Sequence, residues 1–221
     1  MADPTIVQLV RTYFTSDFYK KAAEALDERK YETEKALSAI IPLILGAMLH
    51  KATADKESCE SFFNDCRDAE RVFSVNYDFD LLHRKTNNNE DRLFDKKHVE
   101  VEKEIARYSG IKNSSVSGLI SLAVPSILGL LGKHIMRNKY SSSGLAGYLS
   151  SQEKFIAQAI PPTLESMESY FQLTPLPKSN KLPWDYSFQK FTTIKWKRWR
   201  RVIVIAVVLM VVAAVYFLMV R

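Results

Sequence analysis

The sequence is poor in glycine, in cysteine and in alternating apolar residues, and these shortages limit the folds it can adopt. It holds seven glycines and two cysteines among 221 residues. No segment sustains the period-two alternation of a half-buried strand, whereas apolar residues recur at helical spacings of three and four along the chain. We therefore expect an all-α fold.

Motifs that carry chemistry are also missing. The four histidines lie far apart along the chain, and none lies in a His-Glu-x-x-His or Cys/His array. There is no glycine-rich phosphate loop and no Gly-x-Ser-x-Gly elbow. His50 and His134, at the ends of two apolar helices, are interpreted as cations at helix C-termini. The sequence favours a protein that is not an enzyme and binds no metal or cofactor.

The two cysteines lie on one predicted helix. Cys59 and Cys66 are seven positions apart, which in a regular helix separates them by about 10 Å along the axis. This spacing is too wide for a disulfide. We expect two reduced, half-buried thiols.

The longest apolar stretch lies at the C-terminus. Val202–Val220 contains no charge, no proline and no glycine. As a helix it is about 28 Å long, close to the hydrocarbon thickness of a bilayer. A collar of cationic and indole side chains precedes it: Lys195, Trp196, Lys197, Arg198, Trp199, Arg200 and Arg201. The pattern predicts one transmembrane helix with this collar at the membrane interface, either orienting the helix or also recognising an anionic lipid.

The charges around this stretch predict its orientation. Five basic residues precede it within the collar and only Arg221 follows it, so the positive-inside rule predicts that residues 1–194 are cytoplasmic. The N-terminus lacks the basic region and apolar run of a secretory signal. We expect a tail-anchored, single-pass protein.

The collar and Arg221 also account for the net charge of +6. The segment 195–221 contains six Lys/Arg and no Asp/Glu, which leaves 25 basic and 25 acidic residues in the rest of the chain. A domain that binds nucleic acid usually carries a basic face. We therefore expect no nucleic-acid partner and assign the excess charge to the membrane surface.

Composition divides the chain into five parts. They are a first helical half at 1–85, a polar linker at 86–94, a second helical half at 95–171, a proline-rich stem at 172–194, and the collar with the transmembrane helix at 195–221. Proline-rich segments act as semi-rigid spacers, so we expect the stem to separate the helical halves from the bilayer.

Each half contains a long apolar helix with a Pro-x-x-x-Gly motif. The alignment that superposes Pro42 on Pro125 also superposes Gly46 on Gly129, which predicts an internal duplication. Each proline is expected to kink its helix, and each glycine to let the two helices meet as a central pair. The segment 116–132 is uncharged, but its serines, glycines and proline disfavour a second membrane span.

Shorter helices are predicted around this pair. They are expected at 4–14, from a cap at Ser16 or Asp17 to about 26, from a cap at Thr53 or Asp55 to 73, at 95–108 with Gly110 as a C-cap, at 152–160, and from Pro161 to Phe171. The segment 141–144 is interpreted as a loop and cap, and 144–147 as a helix start.

The second half resembles the YidB-like family of bacterial proteins of unknown function. The resemblance rests on Tyr108–Gly132 with its Pro-x-x-x-Gly helix, on the Gly-Leu-x-x-Leu segment that starts at Gly144, and on Ile160–Leu164. It covers roughly residues 15–172 and implies an all-helical bacterial domain. Because its motifs are packing motifs, it implies no catalytic residues.

These features favour a membrane adaptor or scaffold of the bacterial inner membrane, which presents a cytoplasmic helical domain to a protein partner. The alternative is a membrane-active effector whose apolar helices enter or perturb the bilayer. A tethered DNA-binding domain is disfavoured by the neutral charge of residues 1–194. The expected partners are the bilayer and a protein of unknown identity, with self-association left open.

Overall fold

The computed structural model describes residues 4–73, 93–94 and 98–171. The chain separates into two units, residues 1–181 and 182–221, and all of the described residues belong to the first. Seven α-helices and one 3-10 helix make up the described part, and no strand occurs in it. The expected all-α fold is confirmed for these residues.

The helices follow one another with short connections. They are α1 (Ile6–Tyr13), α2 (Ser16–Leu26), α3 (Lys30–Ala54), α4 (Lys56–Phe73), α5 (His98–Ser109), α6 (Asn113–Asn138) and α7 (Ser142–Ala159), followed by the 3-10 helix Pro162–Phe171. Threonine side chains cap α1 and α2, because Thr5 and Thr15 accept hydrogen bonds from the backbone N–H groups three residues on.

Helix α7 runs from Ser142 to Ala159, so the helix predicted at 152–160 was too short, whereas the interpretation of 144–147 as a helix start is confirmed. Ser141 caps the helix by accepting a hydrogen bond from Gly144 N at 3.2 Å. Serine and glycine are weak helix formers, which is why the predicted helix was too short. Leu145 and Leu149, one turn apart, are both buried, and this tertiary burial stabilises the helix despite its composition.

Helix α3 lies at the centre of the described domain. Every residue from 39 to 49 is buried, and α3 contacts each of the other seven described elements. A helix surrounded on all sides has no face for solvent, which accounts for its uniformly apolar composition. The expectation of a buried central helix for this segment is confirmed.

Helix α6 is less enclosed. Its most extensive contact is with α4, and it also touches α3, α5 and α2. Four of its residues at helical spacing form a half-buried stripe: Ser117, Ser121, Pro125 and Leu128. The closest approach of α4 is at Gly132, where a Cβ atom would lie 2.2 Å from the carbonyl oxygen of Cys66. The two long helices therefore touch, but each packs most extensively on another helix, α3 on α7 and α6 on α4.

Both long helices pass the length and composition test for a membrane span. Within their most apolar stretches, 78% of the residues of α3 and 72% of those of α6 are buried inside the domain. Core helices of soluble domains pass the same test, so burial is sufficient to explain their composition. Each helix continues through its internal proline, Pro42 or Pro125.

The helices that precede the two long ones enter them in the same way. Helix α2 has 11 residues and α5 has 12. Each is followed by a left-handed residue, Asp27 with φ 52° and Gly110 with φ 86°, and the alignment of the two prolines superposes these residues as well. Each long helix then starts from an extended N-cap without a side-chain hydrogen bond, Arg29 for α3 and Lys112 for α6.

A glutamate from the first half caps the N-terminus of α6. Glu28 Oε1 accepts hydrogen bonds from Lys112 N at 3.0 Å and from Ser115 Oγ at 2.8 Å. Burial raises the pKa of Glu28, but these hydrogen bonds and the charges of Lys112 and Arg29 outweigh it, so the pKa lies below its ordinary value. This contact joins the turn between α2 and α3 to the start of α6.

Candidate functional site

The residues predicted to meet the membrane lie outside the described part of the chain. These are the collar residues 195–201 and the apolar stretch that follows them. Of the four packing residues, Pro42, Gly46 and Gly129 are buried and Pro125 is half-buried. The described surface has two distinctive polar features, and each lies at the C-terminal end of one long helix.

A groove of about 370 Å³ lies where α3 meets α4. Its walls combine one cation, three carboxylates, two hydroxyls and one ring: Lys51, Asp55, Glu57, Ser58, Ser61, Phe62 and Asp65. Asp55 caps α4, because its two carboxylate oxygens accept hydrogen bonds from Ser58 N and Ser58 Oγ, both at 2.8 Å. These bonds hold the pKa of Asp55 below its ordinary value. The groove is acidic and would complement a basic group.

Three rings meet at the corner between α6 and α7. The centroid of His134 lies 4.5 Å from that of Tyr148 and 5.6 Å from that of Tyr140. The two tyrosine rings are stacked at 5.8 Å with an interplanar angle of 28°. Offset stacking at these distances stabilises aromatic pairs, so the cluster fixes the turn that joins the two helices.

His134 is the basic ring of this cluster, and its pKa lies below the ordinary value. Burial lowers its pKa, and the charge of Arg137 lowers it further. The Nδ2 atom of Asn138 lies 3.3 Å from Nδ1 of the ring. The lowered pKa disfavours the interpretation of His134 as a helix-terminal cation, and the two tyrosines and Asn138 lie against the ring.

Three cations lie near His134 in the sequence, at the end of α6. Lys133, Arg137 and Lys139 are exposed, and none of them forms an ion pair with a described residue. Met136, which lies between Lys133 and Arg137 on α6, is 56% exposed. Lys133, Met136 and Arg137 share one face of α6 because they are three and four residues apart. We call this surface the basic corner; it consists of Lys133, Met136, Arg137, Lys139, Tyr140 and Tyr148.

The prediction from the sequence missed this surface, although a signal was present. The segment 105–152 contains no aspartate or glutamate, so no carboxylate is available within it to neutralise the cations. The neutral balance of the whole soluble part concealed a local excess of positive charge.

Both cysteines are free thiols, as predicted. Cys59 is half-buried as expected, but the expectation of a half-buried Cys66 was wrong, because that thiol is buried. Burial raises the pKa of both thiols, and nearby carboxylates add to it. Cys59 Sγ lies 3.4 Å from the carbonyl oxygen of Ser142 and donates to it. Both are therefore poor nucleophiles, since the thiolate is the reactive form. Among the described residues, no group of three or more His, Cys, Asp or Glu is placed to hold a metal ion.

The described part of the chain is all-helical and centred on the long apolar helix α3, with the second long apolar helix α6 in contact with it. Residues 8–134 match the family of bacterial proteins of unknown function DUF937, and the chain belongs to this family. The match is consistent with the resemblance to the YidB-like family. No curated protein and no solved structure matches the chain.

Proposed function

We propose that this protein is a non-enzymatic, tail-anchored adaptor of the bacterial inner membrane, which holds a partner protein beside the bilayer. One observation carries the proposal. Val202–Val220 is a bilayer-length apolar stretch behind a collar of five cations and two tryptophans. With the collar on the cytoplasmic side, the helical domain faces the cytoplasm.

The packing of the described domain supports a scaffold. The apolar side chains of α3 fill a core that involves all the other described helices, so the domain forms without help from lipid. Its distinctive polar features lie at two helix ends of opposite charge, the acidic groove and the basic corner. Charged, exposed surfaces on a filled core suit the binding of other molecules.

Duplication explains how such a domain arose. We infer that α2–α4 and α5–α7 descend from one three-helix unit, because one alignment superposes both the Pro-x-x-x-Gly motifs and the left-handed turn residues Asp27 and Gly110. The final helices α4 and α7 each have 18 residues. Each long helix packs mainly on the final helix of the other half, as interlocked repeats would.

Membrane insertion tests the first part of the proposal. Lysines at Val208 and Val212 each add about 2.5–3.5 kcal/mol to the free energy of inserting the helix, and the V208K/V212K double variant is expected to become extractable by alkaline carbonate. The matched control places lysines at Val202 and Val220, where the side chains reach the interface. Carbonate-resistant V208K/V212K protein would contradict the anchor.

Affinity purification tests the second part. The tagged full chain is extracted from native membranes in mild detergent, and the carbonate-extractable V208K/V212K variant serves as the control. A stoichiometric protein that co-purifies with the wild-type chain supports the adaptor. Recovery of the chain alone contradicts it.

A membrane-active effector is the second candidate, because α3 and α6 are each long and apolar enough to span a bilayer. Insertion would require the core to open, since residues 39–49 have no exposed face. The full chain reconstituted into dye-filled vesicles distinguishes the two functions. Dye release supports the effector, and intact vesicles support the adaptor.

A further inference from the structure

We propose that the basic corner at the end of α6 docks the helical domain on an anionic bilayer surface. This docking surface is distinct from the collar, which lies further along the chain, beyond the proline-rich stem. The inference rests on the proposed membrane function and deepens it, since it concerns how the anchored domain lies against the bilayer.

The side chains of the corner are those of an interfacial contact. Lys133, Arg137 and Lys139 provide three exposed cations around Met136, whose side chain is 56% exposed. Tyr140 and Tyr148 lie beside them and are half-buried. Cations bind anionic headgroups, an exposed apolar side chain enters the headgroup boundary, and tyrosines are enriched at this depth.

Rigidity is the second requirement, and the ring cluster supplies it. The ring centroids of His134, Tyr140 and Tyr148 lie 4.5–5.8 Å from one another. Asn138 Nδ2 donates to the carbonyl oxygen of His134 at 2.8 Å, which closes the last turn of α6. The cations therefore project from an ordered turn, and docking orders little additional backbone.

The positive charge of the basic corner favours an anionic bilayer as its binding partner. A single cation at a helix C-terminus is explained by the helix dipole, and Lys51 at the end of α3 is such a case. The corner has three cations, and the segment 105–152 that holds them contains no carboxylate. The same chain carries a bilayer-length apolar stretch beyond the stem, so an anchored domain is tethered to a membrane whose negative potential attracts cations.

The expected strength follows from the number of charges. Each cation near an anionic surface favours the docked state by a factor of about five, so the loss of two lowers the docked-to-undocked ratio about 30-fold. The effect is screened by salt because the cations are exposed. Docking is therefore expected on anionic vesicles in dilute buffer and not on neutral ones.

The test uses the full chain with a fluorophore on the corner. Met136→Cys in a Cys59→Ser background is labelled with an environment-sensitive dye, and the chain is reconstituted into phosphatidylcholine vesicles with or without phosphatidylglycerol. Cys66 is buried and is protected from the reagent. We expect a blue shift and quenching by lipid-borne quenchers only with phosphatidylglycerol, and both are expected to be lost in concentrated salt.

Two double variants separate this surface from general charge. Lys133→Gln with Arg137→Gln removes two cations from the corner, and Lys103→Gln with Lys154→Gln removes two exposed cations from α5 and α7. The first pair is expected to abolish the blue shift and the second to preserve it. An equal loss in both pairs would overturn the proposal.

The outcomes also separate this proposal from the membrane anchor. If the chain resists carbonate extraction but the dye remains exposed to water on both kinds of vesicle, the docking proposal is overturned and the membrane anchor is supported. The basic corner would then be available to bind an acidic protein. If the chain does not insert, flotation with phosphatidylglycerol vesicles decides. Salt-sensitive flotation that K133Q/R137Q abolishes supports docking without an anchor, and its absence overturns docking.

Discussion

Helices α3 and α6 carry the same Pro-x-x-x-Gly motif and have 25 and 26 residues, yet they occupy different environments. α3 is buried on every side through residues 39–49, whereas α6 keeps a half-buried stripe at Pro125 and Leu128. α3 ends in an acidic groove and α6 ends in a basic corner. A shared local pattern makes both segments helical, and their neighbours determine what each helix does.

The largest expected difference between the two helices lies in the cost of a cavity. Leu45 and Leu128 occupy corresponding positions in the two motifs, but Leu45 is fully buried and Leu128 is half-buried. Leu45→Ala is expected to lower the free energy of unfolding by about 3–5 kcal/mol and Leu128→Ala by about 1–2 kcal/mol. Urea unfolding measures both, and equal losses would show that α3 is not the more enclosed helix.

The next difference concerns glycines within α6. A Cβ at Gly132 would lie 2.2 Å from Cys66 O and 2.6 Å from Glu70 Cβ, so α4 would have to shift. Gly132→Ala is expected to cost about 1–3 kcal/mol. At the control position, Gly118, a Cβ would meet only the end of the Leu26 side chain at 2.8 Å.

Gly118→Ala is expected to be near neutral, because the leucine can move and alanine is the better helix former. Thermal unfolding followed by circular dichroism compares the two variants. A neutral Gly132→Ala would contradict the close approach of α4 and α6.

The start of α6 depends on a cap from the other half. Glu28→Ala is expected to cost about 1 kcal/mol, as the loss of an N-cap does. Because the pKa of Glu28 is lowered in the folded state, its contribution is present above pH about 4.5 and is lost as the pH falls through the folded pKa. Glu24→Gln on the exposed surface of α2 is the control. If stability from pH 7 to 3 falls equally in wild type and Glu28→Ala, the contact does not stabilise α6.

The smallest expected effect lies at the end of α6. The pKa of His134 is lowered in the folded state, so the unfolded chain takes up the proton first as the pH falls below about 6.5. Folding should lose stability on acidification, by less than about 1 kcal/mol because the ring is only half-buried. His134→Phe keeps an aromatic ring in the cluster and removes the titrating group. An unchanged pH profile in His134→Phe would mean that the histidine does not titrate differently on folding.

Much of the described fold was predictable. Helical spacing identified the α-helices α1 to α7, and the two long apolar runs identified α3 and α6, although both were expected to be central. The extent of α7 was underestimated because Ser143, Gly144 and Gly147 are weak helix formers. The basic corner was missed because net charge was counted over the whole soluble part. The lowered pKa of His134 was missed because it arises mainly from burial, which depends on the tertiary packing.

Local properties of the sequence, which are periodicity, propensity and length, were enough to identify the helical segments and a bilayer-length apolar stretch. The packing of the helices established which of two similar helices is enclosed, that Glu28 caps a helix 84 residues away, and that burial lowers the pKa of His134. These three depend on burial and on partners remote in the chain, which set desolvation and hydrogen bonding. Local pattern therefore specified the helices, and their packing specified the chemistry of their ends.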